Sequence, residues 1–197
     1  MHGRLLGVVL AAAMTAPLCG CAAPAEPALP ALGRVPEFSC VDQSGQAVTR
    51  ADLLGAVWIA DFIFTRCAGQ CPMMSGRMAE LARAIPAETR ARFVSFTVDP
   101  EHDTPERLAE YARHYDVPAG RWRLLTGDAA AMTRLAREGF KLAVSTDGTP
   151  QEPITHSTRF TLIDAAGQIR GYYDAGDPGA MERLGRDARR LSRPTGG

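Results

Sequence analysis

A run of apolar residues that leads into two closely spaced cysteines constrains the fold of this chain more than any other feature. Residues 56–64 are mostly apolar, and such a run bounded by polar positions predicts a strand buried on both faces of a parallel sheet. A helix is predicted over 72–84, because Pro72 suits a first helical position and apolar residues recur after it at helical spacing: Met74, Met78, Leu81 and Ile85. Cys67 and Cys71 therefore lie between the end of a core strand and the start of a helix.

This placement favours a chemical role for the two cysteines over a purely structural one. The first turn of a helix carries unpaired N–H groups and the positive end of the helix dipole, which favour a thiolate over a thiol. The effect is expected to be strongest at Cys71, which directly precedes Pro72. A reactive or metal-binding thiol pair is the prediction, and a structural disulfide or a pair of buried thiols is the alternative.

The first twenty residues resemble an export signal. Arg4 gives a short positive region, and Leu5 to Leu18 are mostly apolar but too few to span a bilayer comfortably. The following residues end in Gly20 and Cys21, as in a bacterial lipoprotein signal, which predicts that Cys21 becomes the lipid-bearing N-terminus. Cys19 is an unusual residue at that site, so a plain secreted form is the alternative.

Three segments are predicted: a signal peptide at 1–20, a Pro/Ala-rich tether at 21–33 and one folded domain at 34–193. The predicted location is extracytoplasmic (periplasmic), with the domain anchored to a membrane through the N-terminal lipid. The chain has zero formal net charge, which gives no global field to attract nucleic acid. Cys40 alternates with Phe38 on a predicted strand, so we expect it to be a small buried hydrophobic residue.

The order of the remaining elements predicts an α/β fold of the thioredoxin-like type. We expect a central mixed sheet flanked by helices, with an N-terminal hairpin and an inserted helix–strand piece. The predicted elements are a hairpin at 35–49, a strand at 92–98, a helix capped by Asp103 or Thr104, a strand at 122–125, a helix capped by Asp128, an edge strand at 140–144, a hairpin at 159–173 and a last helix from Pro178.

His156 completes a candidate soft metal site. In a thioredoxin-like fold the loop that enters the late hairpin packs beside the cysteine turn, and His156 lies in that loop. Two thiolates and a neutral imidazole leave one negative charge on Cu(I) and none on Cu(II), so one pocket can hold either state. Zinc would require a fourth ligand or a bound water, and no further cysteine or histidine is obviously placed to supply a ligand.

Three motifs in order along the chain resemble the Sco/SenC family, the copper-binding proteins of cytochrome c oxidase assembly. The motifs are Phe62 to Pro72, Val98 to Pro105 and Ile154 to Ser157. The resemblance implies a thioredoxin-like fold that holds copper through Cys67, Cys71 and His156. It also implies a copper chaperone that delivers copper to, or reduces, the binuclear copper site of an oxidase subunit. Another periplasmic copper donor is a further expected partner.

The two cysteines are also compatible with two enzymatic functions. In a thiol–disulfide oxidoreductase, Cys67 would attack and Cys71 resolve, although three intervening residues differ from the two of typical thioredoxins. A peroxidase would need a hydroxyl group and an arginine around one reactive cysteine, and nothing in the sequence marks that arrangement.

The sequence gives weaker indications of function for the charged residues elsewhere in the chain. Asp99, Glu101 and Asp103 are candidates for an acidic rim that orients a ligand or contacts a partner, and a capped loop with solvated charge is the simpler account. The arginines of the last helix are expected to form a solvated face, with lipid head groups as the lesser alternative: Arg183, Arg186, Arg189, Arg190 and Arg193.

Overall fold

The computed structural model describes residues 27–115, 120–145 and 154–193. Within these ranges, eight strands form one mixed sheet in the order β1-β10-β9-β4-β5-β6-β2-β3, and two short strands pair separately. The strands of the sheet are β1 (Gly33–Arg34), β2 (Ser39–Asp42), β3 (Ala47–Thr49), β4 (Trp58–Ile63), β5 (Arg92–Thr97), β6 (Trp122–Thr126), β9 (Arg159–Ile163) and β10 (Gln168–Asp174). The separate pair is β7 (Val144–Ser145) and β8 (Thr155–His156).

In the described part of the chain, four α-helices flank the sheet. They are α1 (Gln70–Ala84), α2 (Pro105–Arg113), α3 (Ala129–Arg134) and α4 (Pro178–Leu191), and α3 continues as a π-helical turn over Leu135–Gly139. Thr104 rather than Asp103 caps α2, and Asp128 caps α3 as predicted. The arrangement is the expected thioredoxin-like α/β fold, with the N-terminal β2–β3 hairpin at one edge of the sheet.

Strand β4 is the centre of the core, as its apolar sequence predicts. Every residue of β4 is buried, and the strand pairs in parallel with β5 and antiparallel with β9. Phe62 stacks on Phe96 with ring centroids 5.2 Å apart, and Phe140 packs edge-on against Phe62 at 5.1 Å. This aromatic cluster fixes one face of β4, so the loop that follows the strand has a rigid support.

Two predicted elements differ from the structure. Helix α1 begins at Gln70, so Pro72 lies in its first turn rather than at its first position, which is tolerated because the first N–H groups of a helix have no partner within it. The edge strand predicted at 140–144 is wrong. Phe140 is a buried core residue, and Lys141 adopts a φ of 55°, which interrupts an extended backbone.

The N-terminal segment joins the fold earlier than predicted. Leu29 packs against the core, and the N–H of Leu32 donates to the carbonyl of Ile169 at 2.9 Å. Gly33–Arg34 then adds an edge strand to β10, so the last part of the predicted tether belongs to the domain. The predicted signal peptide (1–20), the lipid on Cys21 and the start of the tether lie outside the described residues. Among the described residues, no helix is both long and apolar enough to cross a bilayer.

Candidate metal centre

The fold brings the two predicted cysteines and the predicted histidine together. Cys67 lies half-buried in the loop after β4, Cys71 is fully buried in the first turn of α1, and His156 lies half-buried on β8. The two sulfur atoms and a ring nitrogen of His156 all lie within 4.8 Å of one another. Both cysteines are free thiols in this structure. Such a group of two sulfurs and one nitrogen suits a soft metal ion.

The hydrogen bonds of His156 fix its tautomer. The Nδ1 atom lies 3.1 Å from the carbonyl oxygen of Ser157, and a carbonyl can only accept, so Nδ1 carries the proton. In the neutral ring the Nε2 atom is then unprotonated and lies 3.0 Å from the Sγ atom of Cys71. Burial lowers the pKa of His156, which favours this neutral form. The ring therefore presents a free lone pair towards the two sulfurs.

Burial reverses the expected ionisation of Cys71. The helix N-terminus was expected to favour the thiolate, but desolvation raises the pKa of Cys71 well above its ordinary value, and the interaction with Cys67 adds to the effect. The free-energy cost of burying a thiolate exceeds the stabilisation that the helix N-terminus provides. Cys71 is therefore a neutral thiol that can donate to Nε2 of His156. A metal ion must displace this proton before it can bind the sulfur.

A short strand pair positions His156. Val144 of β7 is the pairing partner of His156, and the N–H of Ser157 donates to the carbonyl of Ala143 at 3.0 Å. The side chain of Arg137, from the π-helical turn, donates to the carbonyl of Val144 through Nε at 2.8 Å. The ring of Phe64 packs edge-on against the imidazole at 5.7 Å. Nothing in the sequence marks Arg137 for this supporting role, because only the fold brings it to β7.

Asp99 and Asp103 support the cysteine loop through side-chain contacts and do not form an acidic rim. Asp103 is fully buried and accepts from the N–H of Thr65 at 3.1 Å, from the hydroxyl of Thr65 at 2.5 Å and from the hydroxyl of Thr97 at 2.5 Å. Asp99 is 8% exposed and pairs with Arg66, with Nε and Oδ2 2.6 Å apart. The simpler account of a solvated loop is wrong for Asp103, and its burial also leaves it no surface for a partner.

A small cleft opens beside the three side chains. It has a volume of about 80 Å³ and is lined by Cys67, Gln70, Ile154, Thr155 and His156. The half-exposed Cys67 reaches this cleft, whereas the buried Cys71 lies behind it. A metal ion or a small thiol could approach Cys67 first, while a large organic ligand would not fit.

One further buried acid lies on the strand that leads to the site. Asp61 is fully buried, and neither of its carboxyl oxygens has a hydrogen-bond partner among the described residues. Burial raises the pKa of Asp61 to about 7, and its charge acts on Cys71 across the interior. Its position as a single acid within an apolar run is the sequence signal that marks it as unusual.

Comparison with known proteins identifies the family. The SCO1/SenC family matches residues 29–191, and the chain therefore belongs to this family. It is 33% identical to a putative copper-binding protein of Stutzerimonas stutzeri over 150 residues, which cover 75% of this chain and 72% of that protein.

Solved structures agree with this assignment. A SCO1/SenC family lipoprotein from Bacillus anthracis superimposes with a TM-score of 0.74 at 32% identity, over 82% of this chain and 96% of that one. BsSco, described as a member of the Sco family of cytochrome c oxidase assembly proteins with a disulfide switch, superimposes with a TM-score of 0.73 at 30% identity, over 83% and 96% of the two chains.

Proposed function

We propose that this protein is a membrane-tethered extracytoplasmic copper chaperone. Copper is held by Cys67, Cys71 and His156 and is passed to the binuclear copper site of a cytochrome c oxidase subunit. The observation that carries the proposal is the convergence of two sulfurs and a ring nitrogen of His156 within 4.8 Å, with the unprotonated Nε2 3.0 Å from Sγ of Cys71. The copper-binding description of the Stutzerimonas relative and the oxidase-assembly description of BsSco support the choice of metal and target.

The donor set fits copper transfer by ligand exchange. Thiolates select Cu(I), and an imidazole keeps Cu(II) acceptable, so the same three groups serve both oxidation states. The half-exposed Cys67 lines the cleft, which gives an incoming ligand access to the metal from that side. The lipid on Cys21 would confine the domain to a membrane surface, and the lipoprotein description of the Bacillus anthracis relative supports this part of the proposal.

Anaerobic titration with Cu(I) tests the three-ligand site. His156→Ala should weaken Cu(I) binding by at least about tenfold, since even the loss of an outer-shell partner costs that much at a metal site. His114→Ala is the matched control, because His114 is an exposed histidine that bonds only to backbone carbonyls of its own helix. Equal affinity of the wild type and His156→Ala would contradict the site.

A thiol–disulfide oxidoreductase is the second candidate. The observation that favours it is the unequal exposure of the two thiols, with Cys67 open to the cleft and Cys71 buried behind it, as an attacking and a resolving cysteine require. In that reaction the Cys67 thiolate attacks a target disulfide, and Cys71 then displaces the reduced target as a disulfide forms between Cys67 and Cys71. Rapid metal-free turnover on a disulfide substrate would favour this function over copper delivery.

A further inference from the structure

The C-terminal half of α4 carries an arginine face that the copper site does not use. Arg186, Arg189, Arg190 and Arg193 together line one surface hollow of about 450 Å³, and no other described residue lines it. The chain as a whole has zero net charge, so this is a local excess of positive charge rather than a reflection of composition. Arginines near a helix C-terminus stabilise the helix through its dipole. That effect alone does not explain why four of them surround one hollow.

The N-terminal segment leaves the domain beside this arginine face. The Nη2 atom of Arg190 donates to the carbonyl of Pro27 at 2.7 Å, and Arg170 donates to the carbonyl of Leu29. Pro27 follows the predicted lipid-bearing Cys21 by six residues, which span at most about 20 Å. The arginine face therefore lies at the point where the chain would reach a membrane.

The sheet register places the arginine face and the metal centre at opposite ends of the molecule. Gly33 pairs with Ile169, Ile169 with Ile163, and Ile163 with Trp58, so these residues form one row at the start of β4. The cysteine loop follows the other end of β4, about 20 Å away at the rise of a strand. Helix α4 begins after β10 at the cysteine end and runs back, so its last turns reach the end where the chain enters.

We propose that the arginine face docks on anionic phospholipid head groups and holds the metal centre at the far end, facing away from the bilayer. Guanidinium groups bind phosphate in a bidentate manner, and each arginine near an anionic surface contributes about 1 kcal/mol of attraction. The lipid anchor raises the local concentration of head groups, so docking needs no high intrinsic affinity. This inference rests on the tether of the proposed function but not on copper.

Arginine modification on vesicles tests the docking. The full chain, processed and anchored, is reconstituted on phosphatidylcholine vesicles with or without phosphatidylglycerol, and phenylglyoxal modification of Arg189 is followed by mass spectrometry. We expect modification of Arg189 to be about tenfold slower on the anionic vesicles. High salt should remove the protection, since exposed charges are screened.

A matched pair of variants makes the test specific. Arg186→Gln with Arg193→Gln should weaken docking roughly thirtyfold and abolish the protection of Arg189. Arg107→Gln with Arg159→Gln removes the same charge from exposed positions at the metal-centre end and should leave the protection intact. Loss of protection in both variants would overturn the proposal.

Three other outcomes would also decide it. Equal rates of Arg189 modification in protein anchored to neutral and to anionic vesicles would overturn the docking proposal but not the proposed lipid tether. Failure of the chain to float with either kind of vesicle would overturn the docking face and the tether together. Protection of Arg189 on neutral vesicles by inorganic phosphate alone, equal to that by anionic lipid, would overturn membrane docking in favour of a free-phosphate site.

Discussion

Cys71 and His156 form a proton-sharing pair before any metal arrives. Cys71 is a buried neutral thiol, and the unprotonated Nε2 of His156 lies 3.0 Å from its sulfur. The pair satisfies two buried polar groups at once, so the apo site does not carry an uncompensated charge. Metal binding must replace this S–H···N contact, which couples copper affinity to pH.

Copper binding should therefore release the proton of Cys71. Because burial raises the pKa of this thiol, it stays protonated in the apo protein throughout the neutral range, and Cu(I) affinity should rise about tenfold per pH unit from Cys71 alone. Calorimetry in buffers of different ionisation enthalpy counts the released protons. Cys71→Ser should release one proton fewer than the wild type, and equal release would show that Cys71 is already a thiolate.

Asp61 should make the fold less stable as pH rises. Its folded pKa of about 7 lies above the ordinary value of 3.8, so the folded state binds the extra proton between these limits. Stability is fully present below the lower value and is lost as pH rises to about 7, at roughly 1.4 kcal/mol for each pH unit.

Asp61→Asn should remove that pH-dependent component and be more stable than the wild type at pH 8. Urea unfolding of both proteins at pH 5 and pH 8 measures the difference. A stability difference between the two proteins that is the same at both pH values would contradict a buried, proton-binding Asp61.

At the scale of elements, the β4–α1 loop depends on the loop that precedes α2. Asp103 reaches across to Thr65, two residues before Cys67, and also accepts from Thr97 at the end of β5. The carboxylate thus ties the cysteine loop to the neighbouring strand. An asparagine cannot replace this carboxylate without loss, because its amide NH₂ group donates hydrogen bonds where Asp103 only accepts them.

Asp103→Asn should loosen this connection. Hydrogen bonds to a charged acceptor contribute about 1.5–3 kcal/mol, so we expect the free energy of unfolding to fall by about 2 kcal/mol and the Cu(I) dissociation constant to rise roughly tenfold. Asp128→Asn is the control, because Asp128 caps α3 and asparagine caps equally well. An Asp103→Asn protein with unchanged stability and affinity would show that the brace has no effect on the site.

The elements around the site differ in how far the sequence predicts them. Strand β4 follows from its continuous apolar run, and helix α1 follows from the helical spacing of its buried residues. The burial of Asp103 does not follow, since an acidic loop residue is normally solvated and only the fold supplies Thr65 and Thr97. The same holds for Arg137, whose partner Val144 begins the short strand β7 instead of ending the predicted edge strand at 140–144.

At the scale of the whole molecule, the metal centre joins segments that are far apart in the chain. Cys71 and His156 are separated by 85 residues, and spacing alone did not predict their contact. The position of His156 before the late hairpin of a thioredoxin-like fold, together with the resemblance of three motifs to one family, gives that expectation, and the fold confirms that the side chains meet. The composition does not predict that Leu29 packs on the core or that the N–H of Leu32 bonds to β10, because a Pro/Ala-rich segment indicates an extended tether wherever no partner strand is known.

Copper should stabilise the entire fold, since its ligands come from both halves of the sequence. At free Cu(I) a thousandfold above the dissociation constant, stability should rise by about 4 kcal/mol, or roughly 10 °C in Tm for a chain of this size. Thermal unfolding with and without copper measures the shift. His114→Ala should behave like the wild type, and a full shift in His156→Ala would contradict a metal that bridges the two segments.

The central claim is that two sulfurs and one imidazole hold the metal together. X-ray absorption spectroscopy of the Cu(I)-loaded protein tests it most directly, because the method counts sulfur and nitrogen neighbours of the metal. We expect two sulfur ligands and one imidazole nitrogen in the wild type, with the nitrogen lost in His156→Ala. A wild-type spectrum with sulfur ligands alone, unchanged by His156→Ala, would contradict it.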